Sequence, residues 1–324
     1  MIYHRAGRIA MLSDGEKIKF LDVGHGDSAV IYMNDFHLGG VKTIVIDIVD
    51  ADKLINELVQ SEIKIVDMLI ISHMDADHCR GVNDFLEKFA IRGVIKKICF
   101  NFDRRNPTQT MELILKRFLE LYHKQRITIL RGINDTDLQK RELVSNNTTK
   151  FSLIYPNVAE ETEALLHKST NDMSIVCLYE NEVSKIIFTG DLENNGWRRL
   201  LERMPELECD ILKMPHHGAF YNDENGMGTE HILDMLKPHI AIISTGENKR
   251  YRHPSSDTIK LLKEKNVEIY CTEFTSLCHC DMDSLSRKCY GDVEIVVSDS
   301  DYAVKPECSN TSSLSCSACG VNVG

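Results

Sequence analysis

The chain has 324 residues, 43% of them apolar and 27% charged, with 18 Gly and 7 Pro; this excludes collagen-like, low-complexity and disordered chains and fits one large or two small globular domains. Its 38 basic and 49 acidic side chains give a formal charge of −11, which excludes a protein that coats nucleic acid or anionic membrane with its whole surface but leaves room for a local basic groove. No apolar run approaches the roughly 18 residues of a membrane span, and the opening Met-Ile-Tyr-His-Arg-Ala-Gly-Arg lacks an apolar signal core, so a cytoplasmic location is expected.

Three strands open the chain, at 17–23, 28–33 and 42–48, with almost no helix between them. Asp50 reads as the N-cap of a helix ending near 60, followed by a strand at 66–71, a polar loop and a helix over 81–89. A strand at 94–100 and a long helix over 108–124 come next, the helix carrying Met111, Leu113, Ile114, Phe118 and Leu121 on one face. After a polar stretch, strands are expected at 151–155, 174–179 and 185–189. The second half then alternates helix 195–204, strand 210–214, helix 229–236, strand 240–244, helix 256–265 and strand 267–270. Strands alternating with amphipathic helices throughout predict an α/β class protein.

Cys79, Cys99, Cys177 and Cys209 fall in or beside apolar segments and read as small buried hydrophobes. The other cysteines, Cys271, Cys278, Cys280, Cys289, Cys308, Cys316 and Cys319, crowd the last fifth of the chain. Of these, Cys278, Cys280, Cys289, Cys308, Cys316 and Cys319 read either as a structural zinc site that pins the tail or as unpaired cytosolic thiols.

The run Ser72-His73-Met74-Asp75-Ala76-Asp77-His78-Cys79-Arg80-Gly81 follows a strand directly and puts two imidazoles and two carboxylates within six residues. A solvated turn has no need of histidine at both ends, so this density reads as metal ligation at the C-terminal end of a strand, where α/β sheets build their sites. Two nearby divalent cations repel, and several carboxylates with neutral imidazoles are the donor set that holds them.

These residues resemble the metallo-β-lactamase superfamily signature His-x-His-x-Asp-His. The variant with Asp at the second ligand position resembles the branch typified by the hydrolase domain of the bacterial competence DNA-uptake protein (ComEC type). Further stretches are similar to that branch in the same order: Phe20 to Ser28, with His25 where the branch usually has Gln; Asn171 to Val176; Phe188 to Leu192; Lys213 to Gly218; and Ser244 to Gly246 with Asn248, Tyr251, His253 and Pro254. The resemblance spans about residues 17–300. It implies an αββα sandwich of metallo-β-lactamase type over 1–300, followed by a Cys-containing tail over 301–324.

The resemblance also implies two divalent metal ions, zinc or manganese. His73 and Asp75 would favour one ion, Asp77 and His78 the other, and Asp191 would bridge them, with His217 preferred over His216 as the remaining ligand. The chain has Ser169-Thr170-Asn171 where many superfamily members carry a further histidine ligand, which with Asp75 makes the first position more oxygen-rich and tilts the expectation toward manganese. Such a metal pair would lower the pKa of a shared water to give hydroxide near neutral pH and hold a phosphoryl or acyl group.

Asp75 or Asp77 is a candidate to orient the attacking water, and Lys213 and His253 are candidates to stabilise a developing oxyanion or protonate a leaving group. Gly24, Gly26 and Asp27 read as a tight turn near the metals, and His25 as part of that loop. Asp47 reads as a carboxylate behind a ligand histidine or as a turn initiator. Arg104, Arg105, Lys249, Arg250 and Arg252 are candidates for a basic rim. The expected activity is that of a metal-dependent phosphodiesterase or nuclease acting on nucleic acid or a nucleotide. The alternatives are a lactone, thioester or nucleotide phosphoester hydrolase of the same fold, or a non-catalytic adaptor.

Overall fold

Glu16–Phe20 (β1) buries Glu16, Ile18 and Phe20 and leaves Lys17 and Lys19 partly exposed, the period-2 pattern of a strand with one face on a core. It pairs antiparallel with Ala29–Asp35 (β2), which pairs antiparallel with Gly40–Ile46 (β3). The computed structural model describes residues 11–37, 39–101, 107–124, 126–132, 139–166, 169–223, 227–246, 253–273 and 291–306. The first half continues through α1 (Ala51–Gln60), β4 (Ile65–Val66), β5 (Met68–Ile71), α2 (Ala76–Cys79), α3 (Val82–Phe89), β6 (Val94–Ile95), β7 (Lys97–Phe100), α4 (Gln109–His123) and β8 (Thr128–Leu130).

The second half runs β9 (Arg141–Ser145), β10 (Lys150–Tyr155), α5 (Val158–Ala164), β11 (Val176–Glu180), β12 (Lys185–Phe188), α6 (Asn194–Arg203), β13 (Ile211–Lys213), α7 (Thr229–Leu236), β14 (Ile240–Ile243), α8 (Ser256–Glu264) and β15 (Glu268–Cys271). Two final strands, β16 (Val293–Val297) and β17 (Tyr302–Pro306), return to the first sheet beside β1. Its order is β17-β16-β1-β2-β3-β5-β7-β8, and that of the second sheet is β15-β14-β13-β12-β11-β10-β9.

Alternation along the strands feeds three cores. Ile44 and Ile46 of β3 join Phe151, Cys177, Phe188 and Ile242 between the two sheets. Val45, between them in sequence, faces the other way and packs with Leu54, Phe85 and Phe118 of α1, α3 and α4. On the far side of the second sheet, Trp197, Leu200, Leu233 and Leu262 of α6, α7 and α8 cover Ile187, Leu212 and Ala241. The architecture is therefore the expected αββα sandwich, with each sheet screened from water by helices. No helix among the described residues is long and apolar enough to cross a membrane.

Several expected elements are modified. Two strands expected to be continuous, 66–71 and 94–100, are each split into a two-residue and a four-residue piece, and β4 pairs with β6 in a separate parallel ribbon. The break in the first falls at Asp67, whose carboxylate accepts hydrogen bonds from the Thr43 N–H at 3.0 Å and Lys96 Nζ at 2.8 Å. Leu113 does not join the buried face of α4 and is 56% exposed. β8, β9, α5, β16 and β17 lie where no element was expected, and β17 carries the sheet past the expected boundary at 300 to Pro306. Cys79, Cys99, Cys177 and Cys209 are buried thiols, as expected, and Cys271 is buried at the end of β15.

Candidate metal centre

The chemistry-bearing loops leave the C-terminal ends of β3, β5, β12, β13 and β14, parallel neighbours within each sheet that deliver their loops to one edge of the sandwich. After β5 the chain passes Ser72 and His73 and enters the one-turn helix α2, with Asp75 at its N-cap position and Asp77 and His78 inside it. Opposite, Asp47 follows β3 with φ 57°, a left-handed conformation that Asp tolerates better than most residues. That turn aims its carboxylate at the ligand loop: Oδ1 accepts the Ser72 N–H at 2.7 Å, and Oδ2 accepts the Ser72 hydroxyl at 2.6 Å and lies 2.8 Å from His78 Nδ1.

The second sheet supplies the other side. β12 ends in Thr189-Gly190-Asp191, with Gly190 at φ 52° and so close to Ser72 that a Cβ there would lie 2.9 Å from the Ser72 Cβ. β13 ends in the segment Pro215–Gly218, where His216 and His217 both adopt left-handed backbone angles (φ 46° and 53°). His217 is buried, with Nδ1 2.8 Å from the Ser244 carbonyl. A third loop, after β1, buttresses the first: the Asp27 N–H donates to the Asp77 carbonyl at 3.0 Å. Gly26, at φ 135°, leaves room where a Cβ would meet that carbonyl oxygen at 2.4 Å.

Asp191 is the hub. Its Oδ1 lies 3.1 Å from His78 Nε2, and its Oδ2 lies 3.7 Å from His217 Nε2 and 3.8 Å from both His73 Nε2 and His216 Nε2. Ligand atoms of Asp77, His78, Asp191 and His217 all fall within 4.8 Å of one another. Asp191 Oδ1 and the Nε2 atoms of His73, His78 and His217 are buried without hydrogen bonds among the described residues, although His78 Nε2 and Asp191 Oδ1 are close enough for an ion pair. Two donors bound at about 2.1 Å to one tetrahedral cation lie roughly 3.4 Å apart. Spacings of 3.1 to 3.8 Å, three of them too long for hydrogen bonds, fit that arrangement, and the mix of carboxylate and imidazole fits a divalent ion.

The electrostatics are those of a crowded, dry site. Burial and the neighbouring His78 push the His73 imidazole down to about 3. For His78 burial acts in the same direction, but the carboxylates of Asp191 and Asp47 outweigh it and raise the ring well above its usual range. Burial would raise Asp191 and Asp77, yet the surrounding histidines hold both carboxyls low. Asp75 moves the other way, raised by burial and by the charge of Asp77.

A cavity of ≈ 580 Å³ opens onto the cluster and is lined by Asp75, Asp77, Asp191, His216 and His217 from the ligand loops. His253 also lines it, with burial and the nearby His216 lowering its imidazole to about 4. Ser169 and Asn171 line it too, and both donate to the Glu193 carboxylate, at 2.7 and 3.0 Å. Lys213 does not line it. Its side chain is buried and ion-paired with Asp27, whose carboxylate lies 3.6 Å from His78 Nδ1 and 3.8 Å from His217 Nδ1. The expected oxyanion contact from Lys213 is therefore replaced by a buried pair behind the ligands, because Asp27 captures the amine.

Sequence reading undervalued two cavity residues, His25 and Arg80, and Glu193 behind the cavity wall. His25 faces Asp77 at 3.1 Å and packs against the His217 ring at 4.7 Å, so it belongs to the site and not only to its loop. Arg80 lines the cavity and donates from Nη2 to the His25 carbonyl at 3.3 Å. Glu193 sits 3.4 Å from His216 Nδ1. Of these, only His25 carried a signal in the sequence, by departing from the resembled pattern. Arg104, Arg105, Lys249, Arg250 and Arg252, and the cysteines Cys278, Cys280, Cys289, Cys308, Cys316 and Cys319, lie outside the described residues.

No protein-family model matches the chain. A curated relative, ComE operon protein 3 of Bacillus subtilis (strain 168), is 26% identical over 220 residues, 68% of this chain. The chain spans about a quarter of that relative's length, the match covering 25% of it. Among solved structures, human tRNase Z, short form, matches with a TM-score of 0.41 and 14% identity, over 69% of this chain and 91% of that one. A long-form RNase Z from yeast matches with a TM-score of 0.42 and 12% identity, over 80% and 40%. A diphosphatase from the PhnP family matches with a TM-score of 0.39 and 13% identity, over 70% and 85%.

Proposed function

We propose that the chain is a metal-dependent hydrolase of the metallo-β-lactamase superfamily that cleaves a phosphodiester, in nucleic acid or in a nucleotide, with two divalent cations held by the cluster around Asp191. The observation that carries this reading is the convergence of Asp77, His78, Asp191 and His217 within 4.8 Å at the mouth of an open cavity. A scaffold role has no use for so many buried, mutually repelling donors at one point.

Asp77, His78 and His217 would hold one cation, His73 and Asp75 the other, with Asp191 between them. Divalent ions there supply Lewis acidity and lower the pKa of water, whether zinc or manganese is the natural occupant. Asp77, steadied by His25 at 3.1 Å and His217 at 3.4 Å, orients the attacking water. The water oxygen bonds to phosphorus and releases a proton to solvent, the bond to the leaving oxygen breaks, and that oxygen, hydrogen-bonded by His253, takes up a proton from solvent as it departs. Arg80, the cation among the residues that line the cavity, contacts the phosphate and selects an anionic substrate over a neutral ester. The pair of Asp27 and Lys213 positions His78 and His217 from behind.

The test is hydrolysis of bis(p-nitrophenyl) phosphate and of a neutral p-nitrophenyl ester, with and without added manganese or zinc, for the natural chain and the variants Asp191→Ala and Arg80→Ala. Bound metal is quantified in each. Metal-dependent diester turnover should vanish in Asp191→Ala, and Arg80→Ala should raise KM for the diester by roughly threefold to tenfold while sparing the neutral ester. Neutral-ester turnover that exceeds diester turnover and ignores Arg80 would transfer the reading to a lactone or thioester hydrolase. Diester turnover independent of both metal and Asp191 would end it.

A further inference from the structure

Every histidine around Asp191 is built the same way. His78 has Nδ1 on Asp47 at 2.8 Å, His217 has Nδ1 on the Ser244 carbonyl at 2.8 Å, and His73 has Nδ1 on the Ser72 hydroxyl at 3.2 Å. In each, tying down Nδ1 leaves Nε2 directed at Asp191, at 3.1, 3.7 and 3.8 Å respectively. This is how proteins fix the tautomer and aim of a ligand imidazole. His216 follows the pattern without a part in the four-residue group. Its Nδ1 is hydrogen-bonded to the Tyr221 hydroxyl and lies 3.4 Å from Glu193 Oε1, and its Nε2 lies 3.8 Å from Asp191 Oδ2.

The backbone makes the same point. Turning one imidazole inward at this corner needs one left-handed residue, and His217 supplies it. His216 adopts the same conformation, at φ 46° and ψ 52°, although that conformation is disfavoured for a residue other than glycine. The Tyr221 hydroxyl and Glu193 hold the imidazole in that conformation, with Nε2 toward Asp191.

We propose that His216 is a ligand of the second cation, completing with His73, Asp75 and Asp191 a set distinct from the one built on His217. On the neighbouring wall Ser169 and Asn171 donate to Glu193, and Glu193 in turn backs His216. Tyr221 and Glu193 are then positioning residues, acting on the cation through the imidazole. The two adjacent histidines divide the pair of ions between them. This inference rests on the two-cation reading above.

The test counts metal. The full chain, stripped with chelator, is titrated with manganese and with cobalt(II) by calorimetry and visible absorption, alongside His216→Asn, His217→Asn and Tyr221→Phe. Asn is chosen because it accepts the left-handed backbone better than Ala. Two equivalents are expected for the natural chain. His216→Asn should keep one equivalent at unchanged affinity and bind the second at least tenfold more weakly. His217→Asn should weaken the other equivalent, and Tyr221→Phe should weaken the same one as His216→Asn, by less.

A His216→Asn chain that takes up two equivalents at natural affinity overturns the assignment of His216 and leaves the two-cation reading standing. A natural chain that binds a single equivalent overturns both. Thermal melting of each variant checks that it is folded, and if His216→Asn is not, unaltered binding of both ions by Tyr221→Phe counts against the proposal.

Discussion

Asp47 Oδ2 lies 2.8 Å from His78 Nδ1, and this contact leaves His78 Nε2 facing Asp191 at 3.1 Å. A side chain contributed by the end of one strand thus sets the tautomer of an imidazole contributed by the loop after the next. Asp47→Asn retains a residue that tolerates the left-handed backbone but loses the charge. Metal affinity is expected to fall by about 10–100-fold, measured by competition with a chromophoric chelator, with a smaller change in the melting temperature of the metal-free chain.

Asp27 and Lys213 form a buried ion pair behind the ligands. Burial alone would raise the Asp27 carboxyl, and Lys213, His78 and His217 together outweigh it and hold the carboxyl low. Lys213→Met leaves a buried carboxylate uncompensated and should lower stability by about 3–5 kcal/mol, while adding Asp27→Asn should restore much of it. Urea unfolding midpoints of the two single variants and the double variant measure this. An unchanged midpoint together with lost turnover in Lys213→Met would instead return Lys213 to the substrate.

Gly26→Ala places a Cβ 2.4 Å from the Asp77 carbonyl oxygen at a residue whose φ is 135°. Both the contact and the backbone resist it, so destabilisation of roughly 1–3 kcal/mol is expected. Because the loop presses on the carbonyl of a proposed ligand residue, metal affinity should fall with it. Thermal melts with and without chelator separate the two effects.

Asp292 joins the start of β16 to the first sheet and to α1. It takes the Asp22 N–H at 2.8 Å, Lys53 Nζ at 2.8 Å and Lys19 Nζ at 3.2 Å. Burial opposes its charge, but Lys53 and then Lys19 hold the carboxyl below its usual range. A depressed carboxyl stabilises the fold above its unfolded pKa of about 3.9 and loses that contribution as pH falls through the lower folded value. Asp292→Asn should therefore melt earlier than the natural chain at pH 7, with the gap closing below about pH 4. A gap that stays constant to pH 2 would show that the carboxylate charge is not what stabilises.

The strands, the helices and the first candidate ligand loop were legible because they depend on local pattern, whereas the sandwich arrangement was implied by the resemblance. Period-2 and period-3.6 patterns named most strands and helices, and His73 to His78 puts two imidazoles and two carboxylates within six residues directly after a strand. The short strands β8 and β9 are polar or half exposed, so no periodicity marks them. α5 did carry a signal, the capping box of Asn157 and Glu160, which the apolar pattern around it does not reinforce. The partners of the ligands were harder to read. Asp27 and Lys213 are 186 positions apart, and Ser169 reaches Glu193 across 24. Such pairings follow from topology, which a single sequence does not print.

The proposed ligands fall into two blocks along the chain, His73 to His78 on a loop of the first sheet and Asp191 to His217 on loops of the second. During synthesis the first block emerges more than a hundred residues before the second, so a nascent chain exposes half a chelate that cannot bind as the whole does. The proposed hydrolytic power would thereby be withheld until the second sheet has docked, and a truncated translation product ending before Asp191 would be inert however well its first sheet folds.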